Sequence, residues 1–315
     1  MKKLRRIIFG ISLTLLCQIS IAQSPSFSQY YTNHIFYNPA FTGYHSGNNL
    51  NAIYRHELSE FKNWGLNSLG AAYTRSTDST NSGIGVSLYF QDENAFVSTF
   101  GLNFVYSYNL ELSEDFDVTL GGSVGAYRKT IEEIVSTVVD PNTGQVYQVT
   151  GPEGKIYGVL NFGILLSRDK FDLGVSALNV NRPKVEFNIL NQQIVPTIFY
   201  LLFAYEIMEN ELMSLKPTFL IKQQQGDRKT GLNADLMFAF MEKFDLGLGI
   251  KTTNLFRAKD QTISGPELYT YDALTLFAGM ELLADTDVMI SYEYPFRQQN
   301  NLTKGVVEGS INFSF

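Results

Sequence analysis

The chain has 315 residues, a formal net charge of −7, 44% apolar and 17% charged residues. That length holds two average domains or one large β architecture, the acidity excludes a basic nucleic-acid surface, and the apolar content excludes a disordered chain. A single cysteine excludes a disulfide scaffold and any cysteine-based zinc or iron–sulfur site.

Residues 1–22 have the three parts of a secretory signal. Lys2, Lys3, Arg5 and Arg6 make a positive start, Ile7 to Leu16 an apolar centre, and Ser20-Ile21-Ala22 a small-residue cleavage site. Cleavage is expected after Ala22. The stretch is short for a spanning helix of ~20 residues, and Leu16 is bulky for a lipoprotein cut before Cys17. The cut removes four positive charges and the lone cysteine. The rest of the chain contains no apolar run of spanning length, the longest being Ile198 to Tyr205. A membrane location therefore requires strands.

Residues 23–48 do not read as a strand. Phe27-Ser28-Gln29-Tyr30-Tyr31 leads into Asn38-Pro39-Ala40-Phe41-Thr42-Gly43, whose Asn-Pro and Thr-Gly pairs form turns. A leader so rich in aromatics should pack against a lumen wall or a periplasmic rim rather than sit in water.

From residue 49 onward the period is two. Phe100, Leu102, Phe104, Tyr106 and Tyr108 alternate with Gly101, Asn103, Val105, Ser107 and Asn109. Leu274, Leu276, Ala278, Met280 and Leu282 alternate with Thr275, Phe277, Gly279 and Glu281. A strand sorts such sets onto two faces and a helix scatters them. Strands are expected near 49–56, 66–74, 83–92, 97–110, 116–128, 157–167, 170–181, 196–208, 211–223, 229–240, 243–254, 270–282, 286–294 and 304–315. Connections after the fourth, sixth, eighth, tenth and twelfth are short, and the alternate set is mostly longer (about 129–156, 182–195, 255–269, 295–303), with Arg75 to Ser82 a longish exception on the short side and Gln224 to Arg228 a shortish one on the long side.

An even strand number with short turns on one rim and long loops on the other describes an outer-membrane barrel with both termini in the periplasm. The closing run Val307, Gly309, Ile311, Phe313, Phe315 ends on Phe, as bacterial barrel assembly signals do. The fold expected is therefore all-β: a transmembrane antiparallel up-and-down barrel of about 14 strands over 49–315, in the bacterial outer membrane. The Leu, Phe, Val and Ile face must meet lipid, because a basic charge there costs ~2–4 kcal/mol at midplane. The inward face is then small and polar, with Glu206, Asp235, Glu281 and Glu293 opposed by Lys216, Lys222 and Lys251. Pro217 lies inside a strand of a closed barrel, so a bulge or weak pairing is expected there. A lumen of this size could admit an extended peptide or a plug.

The order of several motifs resembles the PorP/SprF outer-membrane proteins of the type IX secretion system of Bacteroidetes. Phe27-Ser28-Gln29-Tyr30 and Asn38-Pro39-Ala40-Phe41-Thr42-Gly43 come first, then Tyr54-Arg55, Trp64, Gly83-Ile84-Gly85 and Tyr106-Ser107-Tyr108. The resemblance implies a non-enzymatic role in protein export and gliding motility, either linking the machinery to the outer membrane or anchoring secreted surface adhesins. A passive porin for small solutes is the alternative. Expected partners are outer-membrane lipid, type IX components or adhesins, and the barrel assembly machinery during biogenesis. The residues expected to bind a partner are Phe27, Gln29, Tyr30, Asn38, Pro39, Phe41 and Gly43.

Catalytic and cofactor signals are weak. His56 with Glu57 and Ser59 resembles a hydrolase set only by adjacency, whereas a triad needs an oriented base and oxyanion donors. Asp140-Pro141-Asn142-Thr143-Gly144 opens like a calcium loop, but Gly151 stands where the closing Glu belongs. Gly83-Ile84-Gly85 lacks the strand–helix unit of a nucleotide site. No cofactor, metal or catalytic residue is expected.

Overall fold

The computed structural model describes residues 26–59, 66–77, 80–93, 97–131, 136–139, 146–149, 152–187, 193–210, 212–227, 230–241, 243–253, 255, 271–298 and 303–315. The expected signal sequence (residues 1–22), Trp64 and the motif residues 140–144 and 151 lie outside the described residues.

Fourteen antiparallel strands close into a ring: β1 (Asn48–Ser59), β2 (Leu66–Thr77), β3 (Ser82–Glu93), β4 (Val97–Ser113), β5 (Phe116–Ile131), β6 (Glu153–Arg168), β7 (Phe171–Leu178), β8 (Ile198–Tyr205, resuming at Met208–Asn210), β9 (Met213–Gln224), β10 (Thr230–Phe240), β11 (Phe244–Thr252), β12 (Tyr271–Leu283), β13 (Thr286–Gln298) and β14 (Thr303–Ser314). Each pairs with its sequence neighbours, and β14 pairs with β1 from Asn49↔Ser314 to Ser59↔Thr303. A closed ring leaves no edge groups unpaired, which a hydrocarbon environment demands. Every strand expected from the alternation is present, and several extend beyond it.

The alternation separates the two environments. Outward stand Leu50, Leu88, Phe104, Phe162, Leu248, Ile290 and Ile311, all exposed and forming an apolar outer wall. Inward stand Asn51, Ser68, Ser87, Asn103, Ser107, Asn161, Ser176 and Thr275, all buried. Ile53, Tyr89, Leu165, Ile198, Tyr200, Leu202 and Leu220 also point inward and are buried in one apolar cluster. The lumen wall is thus less uniformly small and polar than its sequence pattern predicts. The apolar run in β8 is continuous because one face meets lipid and the other meets packed protein.

Pro217 lies opposite an irregularity in the neighbouring strand. Ala204 faces Thr218 and Met208 faces Leu215, so three residues of β8 oppose two of β9. The bulge occurs where proline cannot donate to the ladder. On the β10 side the register runs through Pro217↔Leu236 without a break.

At the long-loop mouth, Val185 and Phe187 fold inward and pack with Ile131, Tyr157 and Val195.

Candidate functional site: a plugged lumen

Residues 27–43 pack inside the lumen, and the more exposed 44–47 lie at its short-turn rim. The segment turns through two short 3-10 stretches, His34–Phe36 and Pro39–Phe41. Asn38 caps the second: its Oδ1 accepts from the Ala40 amide at 2.9 Å, and Pro39 follows at the position where its fixed φ is favourable. Gly43 and Gly47 have φ of +72° and +79°, where a side chain would be strained, and return the chain to β1 at the short-turn rim.

The segment reaches opposite walls. The Phe27 ring lies edge-on to Tyr89 of β3 at 6.3 Å. The Tyr30 hydroxyl bonds Thr218 of β9 at 2.9 Å. Tyr31 donates to the Met289 sulfur of β13 at 2.8 Å and packs on Phe277 of β12 at 5.6 Å. Tyr37 meets Tyr200 of β8 at 5.3 Å. The Tyr37 hydroxyl also accepts from the Phe27 amide at 2.7 Å and donates to the Phe27 carbonyl at 2.9 Å, closing the segment on itself. Phe27, Tyr30, Tyr37, Ala40 and Phe41 are all buried, with Tyr30 wholly inaccessible.

Two seats hold this plug. The first is ionic. Arg55 of β1 donates to Glu293 of β13 at 2.9 Å and also to Glu308 of β14, while Lys251 of β11 bonds Glu293 at 3.0 Å. Two cations balance two carboxylates, all nearly inaccessible. The plug supplies the donors that complete this cluster. The amides of Ser28 and Gln29 donate to Glu308 at 2.8 and 3.1 Å, and the Ser28 hydroxyl donates to Glu293. Gln29 donates to Ser291 at 3.1 Å and accepts from Ser310 at 2.5 Å. Buried carboxylates persist only when their lone pairs are satisfied in this way.

The second seat is one of shape. A Cβ at Gly121 of β5 would collide with the Pro39–Ala40 backbone, one at Gly83 of β3 with the Thr42 carbonyl, and one at Gly163 of β6 with the Asn38 side chain. Asn38 donates to the Ile164 and Val175 carbonyls at 3.1 and 3.4 Å. Ser107 and Ser176 donate to the Thr42 and Tyr37 carbonyls, each at 2.5 Å. Tyr44 donates to Asp172 of β7 at 2.9 Å. His34 stacks on Phe41 with ring centroids 4.3 Å apart. Burial depresses the affinity of His34 for a proton well below the usual imidazole value, with His45 and Lys216 adding to the effect.

The seven residues expected to bind a partner are thus gathered inside their own barrel. Arg55 and Glu308 are not among the charged residues the sequence singles out for the lumen, although both stand on inward positions of alternating strands. That is the signal that could have found them. Asp235 and Lys251 are buried and inward, and Lys251 joins the cluster. His56 and Glu57 point to opposite sides of the wall: His56 is bonded to Asn67 on the outer side, and Glu57 is buried inside. The hydrolase arrangement therefore does not assemble.

A closed, even-stranded ring with an apolar outer wall, short turns on one rim and a lumen filled by its own N-terminal segment defines an outer-membrane β-barrel protein. Solved structures of similar architecture include the TodX monoaromatic hydrocarbon channel deltaS2 mutant, with TM-score 0.53, 11% identity, and coverage of 90% of this chain and 94% of that one. Another is the CymD monoaromatic hydrocarbon channel, with TM-score 0.52, 9% identity, and coverage of 90% and 93%. At such identity the likeness is one of fold alone. No curated protein matches. The chain belongs to the PorP/SprF family of type IX secretion system membrane proteins, whose family model matches residues 19–313.

Proposed function

We propose that this barrel is a plugged docking component of the type IX secretion and gliding machinery, binding or anchoring secreted surface proteins or linking the machinery to the outer membrane. Family membership supplies the system. The observation that carries the docking reading is the ionic seat, in which the plug completes the coordination of two buried carboxylates. Such a plug is part of the resting structure, which suits a protein that binds others better than one that conducts solutes. Phe27, Gln29, Tyr30, Asn38, Pro39, Phe41 and Gly43 then act for a partner through the plug, by holding it in place or by being released from it. Neither family nor fold points to catalysis.

Two measurements test this. The purified protein in planar bilayers should show no steady ion conductance, and cross-linking in cells should recover type IX components or secreted adhesins. Steady open conductance, with only lipid and assembly factors recovered, would favour the second reading: a conduit for small molecules, which the channel-type barrels of similar fold support.

A further inference from the structure

Two rings join the plug to the long-loop mouth. Tyr127 of β5 and Tyr157 of β6 are direct cross-strand partners, and their rings stack with centroids 5.9 Å apart and planes at 26°. The Tyr127 ring is held from two sides. It lies over Gly101 of β4, where any Cβ would collide with it, and its hydroxyl accepts from the Asn103 side-chain amide at 3.0 Å. On one side of the stack, Tyr127 packs on the buried cluster that contains Phe27, Phe36 and Tyr37 of the plug. On the other, Tyr157 packs on the cluster of Ile131, Val185 and Phe187.

Val185 and Phe187 belong to the connection between β7 and β8, which folds inward as a strap. Its base is fixed by polar bonds. Asn181 accepts from the Leu160 amide at 3.0 Å and donates to the Gly158 carbonyl at 2.8 Å, and the Asn179 amide donates to Asn161 at 2.8 Å. Asn179 and Arg182 have φ of +57° and +46°, so the chain turns sharply between base and arm. In the arm, Lys184–Val185 pairs with Gln193–Ile194, and the Val195 amide donates to the Pro183 carbonyl at 2.9 Å. Its inward grip is apolar: Val185 and Phe187 are 3% and 4% exposed. A pinned base and an apolar seat let the arm leave the mouth as a unit.

We propose that the strap reports occupancy of the outer mouth to the plug, through the Tyr127–Tyr157 stack. Long loops face the cell exterior in outer-membrane barrels, so the strap is the first element an arriving molecule meets. Close-packed seats switch between discrete arrangements rather than deforming smoothly. An occupant that lifts Phe187 uncovers Tyr157. The stack then loses the packing on its outer side, and the cluster around Phe27 loosens. By linkage, release of the plug loosens the strap in turn. The coupling holds whichever molecule arrives, so it goes beyond the docking reading and can fail without it.

Hydrogen exchange read by mass spectrometry on the detergent-solubilised full-length barrel tests this. Phe187→Ala should raise exchange at residues 27–37 about threefold or more, with the ladder amides of β12 and β13 unchanged. Tyr157→Leu keeps apolar bulk under the strap and removes the stack. In that background Phe187→Ala should add nothing at residues 27–37. Glu308→Ala, which frees the plug, should raise exchange in the arm at residues 183–187. The proposal is overturned by unchanged plug exchange in folded Phe187→Ala, or by an effect that persists in full with Tyr157→Leu. An arm indifferent to Glu308→Ala, or an equal rise in β12 and β13, would overturn it too. Where Phe187→Ala does not fold, as judged by heat-modifiable gel migration, Val185→Ala unseats the same arm more mildly and the same comparison decides.

Discussion

The two seats of the plug solve the same problem by opposite means. At Ser28 and Gln29 the wall offers charge, and the plug answers with hydrogen-bond donors. At Asn38 to Gly43 the wall offers absence: glycines at 83, 121 and 163 let backbone meet backbone. The ionic seat is strong only while complete, because a buried charge left alone costs far more than a satisfied pair returns. The shape seat has no such cliff. It weakens in proportion to the volume added or the contact removed. The difference teaches where a switch could be built. A partner that disturbs one ion can release the Phe27–Tyr31 end, while the Asn38–Gly43 end stays attached.

The sharpest way to break this contrast is to orphan a charge. Glu308→Ala leaves Arg55 underpaired and removes the acceptor of the Ser28 and Gln29 amides. Its cost to docking of the first seat is expected to be about 3–5 kcal/mol. A cysteine at Ser28 should then become reactive to a thiol reagent added from the aqueous phase, and bilayer currents should appear. Adding Arg55→Met should recover much of that loss, because Lys251 and Glu293 remain as a neutral pair. Strict additivity of the two losses would remove the idea of a coupled cluster.

Gly121→Ala is the matching attack on the shape seat. The added methyl meets the Pro39–Ala40 backbone, and overpacking of this kind costs about 1–3 kcal/mol. Hydrogen exchange should rise at residues 38–43 and stay low at 27–31. Exchange rising equally in both would mean that the seats act as one unit.

Asn38→Ala should cost somewhat less, about 0.5–2 kcal/mol for the lost cap, read as a lower melting temperature of the plug in detergent. An unchanged melting curve would show that the cap adds nothing to its seat.

The smallest effect is that of pH. Burial holds His34 below its ordinary pKa of 6.5. The undocked segment takes up protons below that value while the docked one resists. Docking is therefore at full strength above pH 6.5 and weakens as pH falls through it toward the lowered value. Exchange around residues 34–41 should rise between pH 7 and 5; a flat profile would count against burial of the His34 imidazole as the cause.

The barrel was legible in the sequence because lipid imposes period two on every strand, and the fourteen expected strands appear in the fold. Pro217 announced a fault, although the bulge falls in β8, since a ladder can be repaired from either strand. The apolar inward faces of β3, β6, β8 and β9 were not legible. Alternation separates the two faces but does not say what packs against the inner one, and Tyr89 or Tyr200 gains meaning only beside Phe27 and Tyr37. Arg55 and Glu308 were hidden for a similar reason. They lie some 250 residues apart, and only the closure of β1 on β14 makes them neighbours.

The leash formed by residues 43 to 47 sets a condition on any rival for the lumen. A stopper tied this closely to its socket faces it at an effective concentration in the millimolar range. A visiting peptide meets an incumbent that cannot diffuse away and returns whenever the visitor lets go. Occupancy by an outsider would therefore be brief unless a second grip, elsewhere on the rim, kept it close.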